Sequence, residues 1–491
     1  MRPRESQGRV LRSGVRRFGA ASLAGILALP LGGCFVNWEQ VTAALDVPKT
    51  YREAPLNHSA ALPSVVWWRG FRSKELTDLI EESLTSNFDV AVAVARIVQA
   101  DAQSRVAGAP LLPAIDLSGS VTRSRASRTT GTSGTVSTGP SERDSYSTSL
   151  SASYEIDFWG KNRALMRAAE QNAVATRFDR EVVALTTVVT VANSYFQVLA
   201  ARDQLRIARG NLEAATRVYR LVQERFEAGT ASALDTAQQE SVVNSQRASI
   251  PPLEQAVRQN IATLAVLVGR PPERVAIRGA SMDRIAIPPV TPGLPSDLIA
   301  QRPDIRDAEA RLAGGNANVH AARAAFFPSI RLTGEGGYQS SALQMLFRPE
   351  SAFFNLAAGL TQPIFDGARI KGEFDFRRGQ QDELLQLYRK AVVNGFADVD
   401  RALVAVQQTA RREALQRDVV ASTRRAFEIA ETRLREGTVD LITVLTTQLA
   451  LFQSQDTLAQ ARLARLQAVV SLFQALGGGW QKAKPEGQPR P

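Results

Sequence analysis

The sequence predicts an α+β membrane protein. Four strands per chain contribute to a transmembrane β-barrel, and long coiled-coil helices continue it as a tube. Three observations carry this reading. The first is the stretch DSYSTSLSASYEIDFWG, Asp144 to Gly160. Tyr146, Thr148, Leu150, Ala152, Tyr154, Ile156 and Phe158 fall on one side of it, and Ser145, Ser147, Ser149, Ser151, Ser153, Glu155 and Asp157 on the other. Alternation of this kind is the period of a strand with one apolar and one wet face, and an ordinary strand is only about 5–6 residues long. The second is Lys161 to Ala228, which has no Pro and a single interior glycine, Gly210. The third is internal repetition: 87–119 aligns without gaps on 302–334 at an offset of 215, with eleven identities, and RFEAGT (225–230) aligns on RLREGT (433–438) at an offset of 208. That period is too long for a solenoid and reads as duplication of one large unit.

The 491 residues carry a net charge of +11. Arg2, Arg4, Arg9, Arg12, Arg16 and Arg17 against Glu5 place +5 in the first 33 residues, which leaves +6 for the rest. No Lys/Arg run with interleaved aromatics follows, so nucleic acid is not an expected partner. The arginine-rich start precedes FGAASLAGILALPL, an apolar run that suits a signal peptide and is too short to span a membrane. It ends in LGGC, which resembles a bacterial lipoprotein box despite Gly32. Cys34 is the only cysteine and has no disulfide partner, so it is the expected site of a covalent lipid. Residue 35 is Phe, not an inner-membrane retention Asp, which implies sorting to the outer membrane. Domains are expected as a signal peptide over 1–33, an extended segment over 34–70, a first repeat over 71–286, a second over 296–480 and a tail over 481–491.

Helical signals begin at SKELTDLIEESL. No apolar run beyond the signal approaches the length of a membrane helix, so any crossing must use strands. Besides the long one, these are AIDLSGSV (114–121), SIRLTGEGGY (329–338) and FNLAAGLTQPIF (354–365), with 123–144 as a Gly/Ser/Thr-rich loop. In the long helix, Phe178, Val182, Leu185, Val189, Ala192, Phe196 and Leu199 are spaced 4-3-4-3-4-3, the pattern of coiled-coil packing. The last helix carries two seams, one through Ile442, Leu445, Leu449 and Phe452 and one through Leu441, Val444 and Leu451. A helix with two seams packs a neighbour on each side, and repeated around a circle this makes a tube. Four strands cannot close a barrel in lipid, where each unpaired backbone group costs several kcal/mol. Two chains would give eight strands and three would give twelve. A soluble sandwich strand with a solvated face is the alternative.

LIAQRPDIRDAEARLAGGNANVHAARAAFFPSIRL (298–332), LTQPIFDGARIKG (360–372), RLREGTVDLITVLTTQLALFQSQ (433–455) and ALGGGW (475–480) resemble the signature segments of the TolC-like outer-membrane factor family, lipoprotein branch. The resemblance covers essentially the whole mature chain. It implies a homotrimer with a 12-stranded barrel and a long periplasmic α-helical barrel, lipid-anchored in the Gram-negative outer membrane. It also implies an efflux duct without enzymatic activity, working with a periplasmic adaptor and an inner-membrane pump. Two other classes fit the sequence less well. A lipoprotein porin without pump partners needs no roughly 100 Å helices, and a coiled-coil periplasmic adaptor needs no lipid-facing strands.

No catalytic or metal-ligating pattern is found, and no cofactor is expected apart from the lipid on Cys34. His58 and His320 lack neighbouring ligands, GGG at 477–479 fits helix termination, and Pro303 of RPD fits a helix start. The candidate functional residues are therefore at the hairpin tips. Gly229 and Gly437 are the turns, and the resemblance implies that these tips, with Thr230, Asp235 and Thr438 beside them, contact the adaptor; Asp235 is also a weaker candidate for the aperture. The resemblance places Asp440, Ile442 and Thr446 around the constriction. Relatives often carry an acid where this chain has Thr446, so the seal here is expected to rest on Ile442, with Asp440 adding negative charge at the mouth.

Overall fold

The computed structural model describes residues 47–48, 64, 66–125, 142–290 and 295–478. Cys34, His58, Trp480 and most of the 123–144 loop lie outside the described residues. Helices α1 (Lys74–Ser86) and α2 (Phe88–Gly108) lead into strands β1 (Ala114–Arg125) and β2 (Glu142–Ile156). Two long helices follow, α3 (Lys161–Glu227) and α4 (Ala233–Val268). A short α5 (Pro295–Gln301) precedes α6 (Pro303–Ala324), β3 (Ser329–Ser340), β4 (Ala352–Thr361), α7 (Arg369–Arg435) and α8 (Leu441–Ala475).

The repeat is visible in the elements themselves. β1 and β3 both have 12 residues and start 215 residues apart. The long helices α3 and α7 both have 67 residues and start 208 apart. At that offset Gly229 matches Gly437 and Gly269 matches Gly477, all in the left-handed conformation, as Gly160 matches Ala368. Four expectations differ from the structure. β1 and β2 run to Arg125 and from Glu142, into the predicted loop, and β4 ends at Thr361 instead of 365. Pro363 has no N–H to give the ladder beyond that point. The stretch read as extended to Gly70 contains a 3₁₀ turn, Trp67–Phe71, whose two Trp and Phe are buried. Contrary to the expectation that no apolar run approaches the length of a membrane helix, α3 contains an 18-residue apolar window, and 61% of it is buried, as in a core helix.

The four strands form one antiparallel sheet in the order β1-β2-β3-β4. Pairing aligns Ser118 with Ser149 and Ser120 with Ser147, then Ser149 with Gly337 and Ser151 with Glu335, so the polar side chains share one face. Serine hydroxyls link across it, Ser118 to Ser149 at 3.0 Å and Ser120 to Ser147 at 2.8 Å. Gly337 sits where a Cβ would come within 2.1 Å of the Thr148 carbonyl oxygen, so only glycine allows this close pairing. The opposite face carries Leu117, Leu150, Leu356 and Phe354, with Leu117 78% and Phe354 82% exposed. β1 and β4 are the edge strands of this sheet among the described residues.

The core lies away from the sheet. Trp67 stacks on Phe473 at 4.7 Å, and Phe71 meets Phe196 at 5.2 Å. These rings join Leu76, Ile80, Leu199, Leu264 and Leu466 in one buried cluster that ties the chain start to α3, α4 and α8. A second cluster fills the space nearer the tips, with Val218, Val222, Phe427, Leu434, Leu441 and Val444. Arg302, the Arg of RPD, clasps three elements: it pairs with Asp304 at 2.7 Å and Asp398 at 3.1 Å and donates to the Ala475 carbonyl at 3.1 Å. His320 on α6 has its pKa lowered by partial burial and by Arg323 and Arg167, which keeps the imidazole neutral.

Candidate functional site: the hairpin tips and the barrel staves

Each long helix ends in the same way. At the first tip Gly229 has φ 74 and donates to Phe226 O at 2.9 Å, and Thr230 N–H donates to Arg225 O at 2.8 Å. At the second, Gly437 has φ 71 and donates to Leu434 O at 3.1 Å, and Thr438 N–H donates to Arg433 O at 2.9 Å. This is the Schellman arrangement, in which a left-handed glycine satisfies the last helical carbonyls. The Thr230 and Thr438 hydroxyls also donate to Arg225 O and Arg433 O. Both threonines therefore finish their helices.

The return helices are capped by equivalent residues. Ser232 and Asp235 form a capping box before α4: the Ser232 hydroxyl accepts from Asp235 N–H at 3.2 Å, and the Asp235 carboxylate accepts from Ser232 N–H at 2.8 Å. Before α8 the cap is Asp440, whose carboxylate accepts from Thr443 N–H at 2.9 Å and from its hydroxyl at 2.6 Å. Those two bonds hold the Asp440 carboxyl below its usual pKa, so it is ionised at neutral pH. Thr446 spends its hydroxyl on Ile442 O at 2.9 Å. Leu441 and Val444 are buried in the tip cluster, and Ile442 between them is 62% exposed. Within one chain Ile442 is therefore free of the seam through Leu441 and Val444.

Two features escaped the sequence reading. Arg225 crosses from the first tip to donate to the Leu434 carbonyl at the second. Its signal was present, since Arg225 and Arg433 head the two copies of the tip motif. The other is a set of aromatics where the strands join the helices. Trp159 stacks on Phe327 at 4.5 Å and donates to Pro328 O at 2.8 Å, Phe326 meets Phe374 edge-on, and Ile364 and Phe365 are exposed. Of these rings only Trp159 carries a polar group, the indole N–H that Pro328 O accepts.

The comparisons agree with this architecture. Residues 79–270 and 294–478 match the family described as outer membrane efflux protein. The chain is 42% identical to the pyoverdine export outer membrane protein OpmQ of Pseudomonas aeruginosa, over 92% of this chain and 95% of that one. It is 31% identical to the cation efflux system protein CusC of Escherichia coli, over 93% and 98%. Among solved structures, CusC superposes with a TM-score of 0.79 at 30% identity, covering 89% of this chain and 97% of that one. The open-state outer membrane channel MtrE of Neisseria gonorrhoeae does so with 0.78 at 28% identity, covering 89% and 96%. Residues, fold and both kinds of relative converge, and the chain belongs to the outer membrane efflux protein family.

Proposed function

We propose that three copies of this chain close a 12-stranded outer-membrane barrel and continue it as a periplasmic helical tube. The assembly is the exit duct of a tripartite efflux pump. The single observation that carries this reading is the pairing of an open four-stranded sheet, apolar on one face and hydroxyl-rich on the other, with two 67-residue helices below it. Closure supplies the missing partners of β1 and β4, lipid covers Leu117 and Phe354, and water fills the serine-lined side.

The tips at Gly229 and Gly437 meet a periplasmic adaptor, and an inner-membrane pump supplies the energy. Ile442 from three chains forms an apolar ring near the axis that excludes water and ions, and Asp440 keeps its mouth negative. Cys34 carries the lipid anchor. The relatives are named for pyoverdine, toluene and cation efflux. Ducts of one design thus serve chemically unrelated cargo, which supports a passive path with selectivity set at the pump. The test is deletion of the gene followed by measurement of siderophore secretion and of susceptibility to antibiotics, solvents and metals. Loss of at least one export phenotype, restored by the wild-type gene, is expected; a strain unchanged across the panel overturns the reading.

A further inference from the structure

A cavity of about 720 Å³ lies between the start of α1, the middle of α3 and the strap that follows α4. Arg72, Arg278 and Arg284 line it, and none of the three guanidinium groups has an ion pair or side-chain hydrogen bond among the described residues. The carboxylates around them are already engaged. Asp78 pairs with Lys74 at 2.6 Å, and Glu82 pairs with Arg270. Glu75 accepts from Arg278 N–H at 2.5 Å, from Gly279 N–H at 2.9 Å and from the Tyr195 hydroxyl at 3.0 Å. Burial, the largest influence, pushes the Tyr195 hydroxyl up to about 12, so it stays protonated as a donor to that carboxylate.

The cations stand on fixed backbone. Gly279 fits closely, since a Cβ there would lie 2.7 Å from the Tyr195 hydroxyl and 3.0 Å from Glu75 and would push those side-chain ends aside. Arg284 closes a 3₁₀ turn pinned by Met282, which is buried and donates its N–H to Asp203 at 2.9 Å. Arg72 has φ 53, one of two non-glycine residues in the left-handed region among those described. Strain of this sort persists where the surroundings impose it, and it clusters at binding sites.

We propose that this pocket binds oxyanions, and that its ligand is a multivalent, carboxylate-bearing polymer of the periplasmic cell wall. Guanidinium forks match carboxylate and phosphate geometry. A single exposed pair is weak in water, so three unpaired forks in one cavity favour a ligand that engages several at once. At 1.5 Å per residue, about 50 Å of helix separates Lys161, beside the strands, from Tyr195 in the pocket wall. With the strands in the membrane, as proposed above, that distance removes the lipid headgroups as the source and leaves the periplasm.

The test uses the full-length channel in detergent and purified peptidoglycan sacculi. Wild-type protein should co-sediment with the sacculi, and Arg278→Ala/Arg284→Ala should bind at least fivefold less. A control of equal charge, Arg247→Ala/Arg274→Ala, lies outside the pocket and should bind like wild type. Thermal stability and channel conductance, read on the same samples, separate this result from failure of the fold or of the duct. Equal loss in pocket and control variants, or no loss in either, overturns the proposal. If inorganic phosphate raises the melting temperature of wild type and not of the pocket variant, while sacculi bind neither, the pocket is an oxyanion site and the polymer assignment is overturned.

Discussion

Ser232 and Asp440 stand 208 residues apart and occupy one position of the repeat: each is the N-cap of the helix that returns from a hairpin tip. Asp440 therefore has a local task before it has any part in a gate. Replacing Ser232 by Ala should cost about 1 kcal/mol of stability, the ordinary value of such a cap, read as a lowered melting temperature.

At Asp440 the capping and charge roles separate by substitution. Asp440→Asn keeps an acceptor for Thr443 and should preserve the fold while reducing cation selectivity in a planar bilayer. Asp440→Ala should lose both. Because the folded carboxyl is held below its ordinary pKa, its contribution is present above the unfolded value and disappears as pH falls through the lower folded one. Selectivity that declines only in strong acid, below the usual carboxylate range, is the expected profile.

Ile442→Ala should raise single-channel conductance with little effect on the stability of the protomer, since Ile442 is 62% exposed in one chain. Val444→Ala, two residues along the same helix but on the buried face, should instead destabilise by about 1–3 kcal/mol. Conductance traces beside melting curves distinguish the two. Identical behaviour of both variants would remove Ile442 from the aperture.

Glycine substitutions should split by backbone. Gly437 has φ 71, and alanine there should cost about 1–2 kcal/mol although nothing blocks its Cβ below 4.0 Å. Gly210, inside α3 with open space around it, should gain about 0.5–1 kcal/mol from the same change. Chemical denaturation of the two variants against wild type gives the sign of each.

Glu413 is 1% exposed and pairs with Arg465 at 2.8 Å, with Arg417, and with Arg462 at 3.7 Å. Burial alone would raise its pKa, but the Arg465 hydrogen bond and the three positive charges outweigh it and hold the carboxyl down. Glu413→Ala leaves the partly buried Arg465 guanidinium without its ion pair, while Arg462 keeps Asp283 at 2.8 Å, and should cost about 3 kcal/mol. The depressed pKa means this stabilisation is complete at neutral pH and is lost only as the medium acidifies through the folded value. Melting temperature followed from pH 7 downward measures it.

Much of the fold was legible because it is periodic. The alternation through 145–157 located β2, and the Pro-free stretch after Lys161 located α3. What stayed hidden depends on tertiary pairing or on exceptions to local rules. Pro251 and Pro252 sit inside α4, where two missing amides would ordinarily end a helix, and neighbours on α3 hold it regardless. Trp67 and Phe71 looked like part of an extended leader because the rings they pack against, Phe473 and Phe196, lie far along the chain. At the tips, the glycine turns could be read from the repeated motif. That Asp440 caps α8 by accepting from Thr443 N–H was hidden because a carboxylate near a turn reads equally as a cap or a gate, and the reach of Arg225 to the Leu434 carbonyl because the two tips are far apart in the chain.

The central claim is that one chain supplies four staves of a barrel closed by two more copies, and the mass of the purified particle tests it most directly. Light scattering of the detergent-extracted protein, with bound detergent subtracted, should give three chains per particle. A monodisperse monomer would contradict both the shared barrel and the helical tube beneath it.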